Sequence, residues 1–177
     1  MTCDYIKLAN NGIQQLKPYE PGKPIEELER ELGVTDIVKL ASNENPLGAS
    51  HKALRALKHL HELHLYPDGA TFSLKAALSA KLGVDSAQLT LGNGSNDVLD
   101  LVARAYLQEG DEAIFSEYAF AVYPIVTLAC NAKPVQVPSN LFGHDLAAMA
   151  EAVTERTRVI FVANPNNPTG TWFNTHA

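Results

Sequence analysis

Apolar positions along this chain change rhythm repeatedly, and the changes mark out its elements. In the second half, short apolar runs at residues 113–116, 135–137 and 158–163 read as strands, while residues 121–130 and 146–153 carry helical spacing, the former closed by Asn131. Val159, Ile160, Phe161, Val162 and Ala163 are five apolar residues in a row, the pattern of a strand buried on both faces. Strands alternating with helices of about ten residues imply βαβ units, a parallel sheet and the α/β class. Upstream, Leu89, Thr90 and Leu91 read as a strand before a small-residue loop at 92–97 and a helix from Val98. Leu74, Leu78 and Leu82 line one face of a helix over 71–82 that Gly83 stops. From Ser50, the spacing of Leu54, Leu57, Leu60 and Leu63 predicts another helix, and residues 37–40 a short strand. Pro24 is placed to begin a helix through Leu32, with Glu26 and Glu27 in its first turn and Gly33 as its end. Residues 1–24 read as irregular. The proline-rich arm at 17–24 cannot form a core alone and must lie on its own domain or on a partner subunit.

Composition changes this picture little. The 177 residues, 46% hydrophobic and 19% charged, describe one ordinary globular domain able to bury a core. A formal charge of −6 argues against nucleic acid or an anionic membrane surface as partner, without preventing a local phosphate site made from backbone donors. Cys3 and Cys130 show no disulfide or zinc spacing, so a reduced, cytoplasmic setting is expected. The N-terminus has no signal-peptide core, and no run approaches the roughly 18 apolar residues of a membrane span.

Candidate chemistry lies in the loops. Residues 164–170, Asn-Pro-Asn-Asn-Pro-Thr-Gly, follow the last strand, where open α/β sheets place their ligands. Pro165 and Pro168 fix φ, so an intervening Asn presents a neutral amide in one direction. The bland reading, that these are turn formers, suits one dipeptide better than seven such residues together. In the 92–97 loop, glycines permit close backbone approach, and Ser95 and Asn96 at a helix N-terminus make a phosphate seat. A plain helix cap using Asp97 is the alternative. The glycine pattern matches neither the P-loop nor the dinucleotide fingerprint. Tyr118, Phe120 and Tyr123 cluster after the 113–116 strand and can offer a flat face to a planar ring, or simply pack. His51, His59, His61 and His64 fall in the helix predicted from Ser50. They lack acidic or cysteine partners at ligand spacing, so a solvated face rather than a metal site is expected.

The 164–170 segment resembles the Asn-Pro-x-Asn-Pro-Thr-Gly motif of fold-type I pyridoxal-phosphate (PLP) aminotransferases. Residues 18–22 (Pro-Tyr-Glu-Pro-Gly), 40–48 (Leu-Ala-Ser-Asn-Glu-Asn-Pro-Leu-Gly), 66–69 (Tyr-Pro-Asp-Gly) and the 92–97 loop extend the likeness. Together they resemble the N-terminal half of the histidinol-phosphate aminotransferase family, in order and over nearly the whole chain. The resemblance implies a three-layer sandwich with a mostly parallel sheet, part of a PLP-dependent transferase large domain, preceded by an N-terminal arm and helix. It implies an arm and small-domain segment at 1–48 and a partial PLP-binding large domain at 49–177. Ser95 and Asn96 would hold the cofactor phosphate, Asn167 the phenolate oxygen, and Tyr123, or the nearby Phe120, the ring. Tyr66 would reach the phosphate of the neighbouring site in a homodimer, while Tyr19 and Asn43 would line the substrate pocket.

The implied reaction is amino transfer from L-glutamate to imidazole acetol phosphate, giving L-histidinol phosphate and 2-oxoglutarate in histidine biosynthesis. In the family, the Schiff-base Lys, the Asp at the pyridine nitrogen, a Tyr to the phenolate and the Arg for the substrate carboxylate lie beyond the Pro-Thr-Gly loop. Lys39, Lys75 and Lys133 match no such lysine, so the expectation is half a site on a truncated chain, with no catalytic residue of its own. The rival expectations are another fold-type I aminotransferase acting on aromatic amino acids, a PLP-dependent decarboxylase of a phosphorylated amino acid, a non-catalytic fragment, and a phosphate-binding module using only the 92–97 loop.

Overall fold

In the computed structural model, which describes residues 4–19, 22–40, 42–61 and 63–176, chain contacts gather into two units. One comprises the residues up to Tyr19 together with those from Thr90 onward; the other runs between them, to Leu89.

The first unit is built on three parallel strands, β1 (Glu112–Ser116), β2 (Lys133–Val137) and β3 (Thr157–Ile160), ordered β2-β1-β3. β1 is central and buried along its whole length. The chain leaves β1 through a helix over Val122–Ala129 to reach β2. It then crosses back past β1, through a helix over Leu146–Glu151, to β3. Right-handed crossovers running in opposite directions put their helices on opposite faces, hence three layers. Ala113 and Phe115 pack with Val122, Tyr123, Val126 and Phe161 on one face, where the helix over Ser95–Tyr106 adds Ala103, and Leu107 just after it joins them. Ile114 and Val137 pack with Met149 on the other.

Two short helices, α1 (Tyr5–Leu8) and α2 (Asn11–Gln14), replace the irregular N-terminus expected from sequence. Asp4 and Asn10 cap them by accepting from the N–H groups of Lys7 and Ile13. Ahead of the proline-rich stretch, α2 packs on the first unit. The Gly12 N–H donates to Asn131 Oδ1 at 2.7 Å, and a Cβ at Gly12 would stand 1.7 Å from the Leu128 carbonyl oxygen.

The second unit holds α3 (Ile25–Leu32), α4 (His51–Leu57) and α5 (Phe72–Leu82), followed by a 3-10 turn at Ser86–Gln88. Gly33 and Gly83 end α3 and α5 in the left-handed region, as read from sequence. The 66–69 turn also forms: Asp68 accepts from the N–H groups of Ala70 and Phe72, which hold its carboxyl below the usual range, the Phe72 bond foremost. The chain then returns to the first unit, whose longer helices are α6 (Ser95–Tyr106), α7 (Val122–Ala129) and α8 (Leu146–Glu151).

Five expectations need correction. Residues 37–40 and 89–91 are not strands, because a strand exists only with a ladder partner and neither segment has one among the described residues. α4 stops at Leu57, so Leu60, Leu63, His59, His61 and His64 lie beyond it. α6 begins at Ser95 rather than after Asp97. The 158–163 run is not buried on both faces: β3 takes it only to Ile160 and is an edge strand among the described residues, Phe161 packs with the α6 and α7 cluster, and Ile160 (47% exposed) and Val162 (45%) remain open. Glu20, Pro21 and Ala41, in the two loops singled out near the N-terminus, lie outside the described residues.

Candidate functional site

Ser95, Val98 and Leu99 of α6, Phe120 and Tyr123 after β1, and Asn167 after β3 line one pocket of about 450 Å³. Three segments separated widely in sequence therefore meet at the carboxyl ends of the strands, the rim where such sheets bind ligands.

The α6 wall is an open helix end. Gly94, its N-cap, has φ 86° and ψ 173°, and no side chain caps the first turn. Asp97 does not supply the plain cap weighed above. Its Oδ2 turns back to accept from the Asn93 N–H at 3.0 Å, tightening the loop instead. The close approach of that carboxylate is why Gly92 bears no side chain: a Cβ there would meet Asp97 Oδ2 at 2.9 Å. The first N–H groups of a 12-residue helix, with the Ser95 hydroxyl beside them, thus face the pocket side uncapped.

The β3 wall is a cross-braced loop. Asn164 pairs with the Phe173 backbone in both directions, Nδ2 donating at 2.8 Å and Oδ1 accepting at 3.1 Å. The Asn166 backbone pairs with Thr171 and Gly170, each at 2.8 Å. Its buried side chain donates to the Tyr118 carbonyl at 2.8 Å and to Thr169 Oγ1 at 2.9 Å. His144 Nε2 donates to the Ala163 carbonyl at 2.9 Å, just ahead of the loop. Both prolines follow cis peptide bonds. Of the three asparagines, two are committed to the scaffold. The half-buried Asn167 amide has no hydrogen-bond partner among the described residues and borders the pocket.

The aromatic wall has a buried back and a half-open front. Tyr123 is 7% exposed, stacks on Phe161 with centroids 4.6 Å apart, and meets the edge of Phe120 at 5.9 Å. Burial pushes its phenol above the ordinary value. Phe120 is half-buried, and Tyr19 meets it edge-on at 6.4 Å, so the arm delivers Tyr19 to the front of this wall. Asn96 is exposed at the second position of α6. Asn43 (exposed, φ 51°) and Tyr66 (101% exposed) belong to the other unit. Sequence reasoning missed Asn166 and His144. Asn166 is the variable letter of its motif, and His144 had no pattern around it.

Residues 35–176 match the family described as aminotransferase class I and II. The chain belongs to that family. Histidinol-phosphate aminotransferase 2 of Pseudomonas fluorescens is 61% identical over 176 residues, covering 98% of this chain and 48% of the relative. The protein of the same name from Pseudomonas aeruginosa is 61% identical over 177 residues, with the same coverage. A crystal structure of histidinol-phosphate aminotransferase from Sinorhizobium meliloti in complex with pyridoxal-5'-phosphate superposes with a TM-score of 0.81 at 26% identity, over 93% of this chain and 44% of that one. The chain therefore spans about half the length of the curated relatives it matches. The three-layer α/β sandwich with a parallel sheet is the aminotransferase fold, represented here in part.

Proposed function

We propose that this chain supplies the phosphate, ring and phenolate walls of a PLP site in an aminotransferase. The reaction moves an amino group from L-glutamate to imidazole acetol phosphate, giving L-histidinol phosphate and 2-oxoglutarate. The observation that carries this reading is the meeting of Ser95, Phe120, Tyr123 and Asn167 around one pocket. Its 450 Å³ suits a small aromatic phosphate, and its chemistry divides as that ligand requires. An uncapped helix end with a hydroxyl suits a phosphate, a phenyl face suits a flat ring, and an unpartnered amide suits an anionic oxygen.

The relatives' names and the PLP-bound neighbour support the same choice. When bound, the cofactor supplies an electron sink for breaking bonds at the substrate α-carbon. The chain's own residues orient it. Ser95 and the first N–H groups of α6, joined by Asn96, hold the phosphate. The Asn167 Nδ2–H donates to the phenolate oxygen. Phe120, whose ring is the more open of the two candidates, covers the ring face, with Tyr123 buttressing it edge-on. Tyr19 borders the substrate side, and Asn43 with it. The complete exposure of Tyr66 suits a residue that reaches the neighbouring site of a homodimer. In this reading the enzyme is cytoplasmic, residues 1–48 form the arm and small-domain segment, and 49–177 belong to the large domain.

Titrating PLP into the chain and following its absorbance tests the reading. Saturable binding is expected, competed by inorganic phosphate. Ser95→Ala removes a charged-group hydrogen bond of about 1.5–3 kcal/mol, weakening binding roughly ten- to hundredfold. Absence of saturable binding, or identical binding by Ser95→Ala and Asn167→Ala, overturns it. Preference for phenylpyruvate over imidazole acetol phosphate in glutamate-dependent transfer, by a protein that joins this chain to the half carrying the Schiff-base lysine, would move the assignment to an aromatic aminotransferase.

A further inference from the structure

We infer that Asn166 is a positioning residue, whose carboxamide ties the loop carrying Asn167 to the loop carrying Phe120 and so sets the separation of two pocket walls. This rests on the PLP-site reading above. The ladder between β1 and β3 ends at Ile114 and Ile160, with one further bond from the Phe161 N–H to the Ile114 carbonyl at 2.8 Å. Beyond it, the next direct hydrogen bond between the two segments among the described residues runs from Asn166 Nδ2 to the Tyr118 carbonyl at 2.8 Å, across 48 residues of sequence. Phe120 lies two residues past Tyr118, and Asn167 is the immediate neighbour of Asn166.

The side chain is used in full on its donor side. Asn166 is 4% exposed, and its second Nδ2 proton goes to Thr169 Oγ1 at 2.9 Å. Its Oδ1 is buried without a partner, an unfavourable arrangement that an apolar residue would avoid. A position that bears an unpaired buried oxygen is occupied by Asn for the sake of the two bonds it donates. Asn167 itself makes no such tie among the described residues; the Asn166 side chain is the brace that fixes its loop against the Phe120 loop in particular.

Two variants test this in the intact chain. Asn166→Ala removes the tie. Amide hydrogen exchange measured without cofactor is expected to quicken together in residues 117–121 and 164–171, leaving 133–149 as in wild type. Asn166→Asp keeps the shape and makes the tie depend on protonation, since a neutral carboxyl can donate to the Tyr118 carbonyl whereas a carboxylate repels it. Its PLP binding, relative to wild type at the same pH, is expected to be at least tenfold weaker at pH 8 and to recover at pH 5. Unchanged exchange at 117–121 in Asn166→Ala, or an Asn166→Asp defect equal at both pH values, overturns the inference. Failure of the wild-type chain to bind PLP would sink the site reading instead, and the exchange result would still decide whether Asn166 couples the two loops.

Discussion

At the scale of single residues, the pocket depends on backbone that few side chains tolerate. Gly94 sits at φ 86° and ψ 173°, a region essentially confined to glycine. Gly94→Ala is expected to destabilise the chain by about 1–3 kcal/mol and to turn the first α6 N–H groups away from the pocket, read as a lower denaturation midpoint together with weaker PLP binding. Core residues answer differently. Ile114 of β1 is wholly buried against Met149 of α8, and Ile114→Ala should cost about 2–5 kcal/mol in urea unfolding, without a specific effect on the pocket. Asn167 and Ser95 were legible in the sequence because turn chemistry after an apolar run is a local signal. Asn166 was not, since its partner Tyr118 lies 48 residues away and no local pattern encodes that distance. That Phe161 covers the Tyr123 ring and leaves Phe120 the more open of the two was equally out of reach, because it depends on a residue 38 positions further on.

Among the elements, α2 shows how a very short helix can matter. Four residues cannot hold a helix by propensity. α2 persists because Gly12 lets its backbone settle against the end of α7, under the Asn131 carboxamide. Gly12→Ala must displace the Leu128 carbonyl or lift the arm. Overpacking of this kind costs about 1–3 kcal/mol, and limited proteolysis should then cut within residues 4–19 while leaving 112–160 intact. The strands β1 and β2 and the helices α3, α5, α7 and α8 were readable because each carries its own period and stop signal. The 89–91 segment misled because its apolar letters describe an environment, and a strand also needs a neighbour. The Leu60 and Leu63 spacing misled because a helical period continued into residues that form turns.

For the whole molecule, the two rims of the sheet have separate tasks. At the amino ends of the strands, the buried Glu112 of β1 accepts from Thr154 Oγ1 at 2.7 Å, Arg156 Nη2 at 3.0 Å and Lys133 Nζ at 3.1 Å, joining all three strands. The Thr154 bond first, then Lys133 and Arg156, hold its carboxyl below the usual value. An unfolded glutamate titrates near 4.3. The stabilisation from Glu112 is therefore complete above that pH and is lost as pH falls through the lower folded value. Melting temperature followed from pH 7 to 3 should show this loss, and Glu112→Gln should start lower and flatten the acid limb. Ile160 at the end of β3 and Val162 just beyond it are also exposed along the β3 edge. The wild-type chain is expected to self-associate in sedimentation, and Val162→Lys to reduce it.

Because the pocket gathers at the carboxyl rim of the sheet while the Glu112 cluster closes the amino rim, the pocket walls and the acid resistance are written in separate residues. The exposed or half-buried positions 95, 96, 120 and 167 can therefore be varied to change what the pocket accepts while the buried foundation stays as it is.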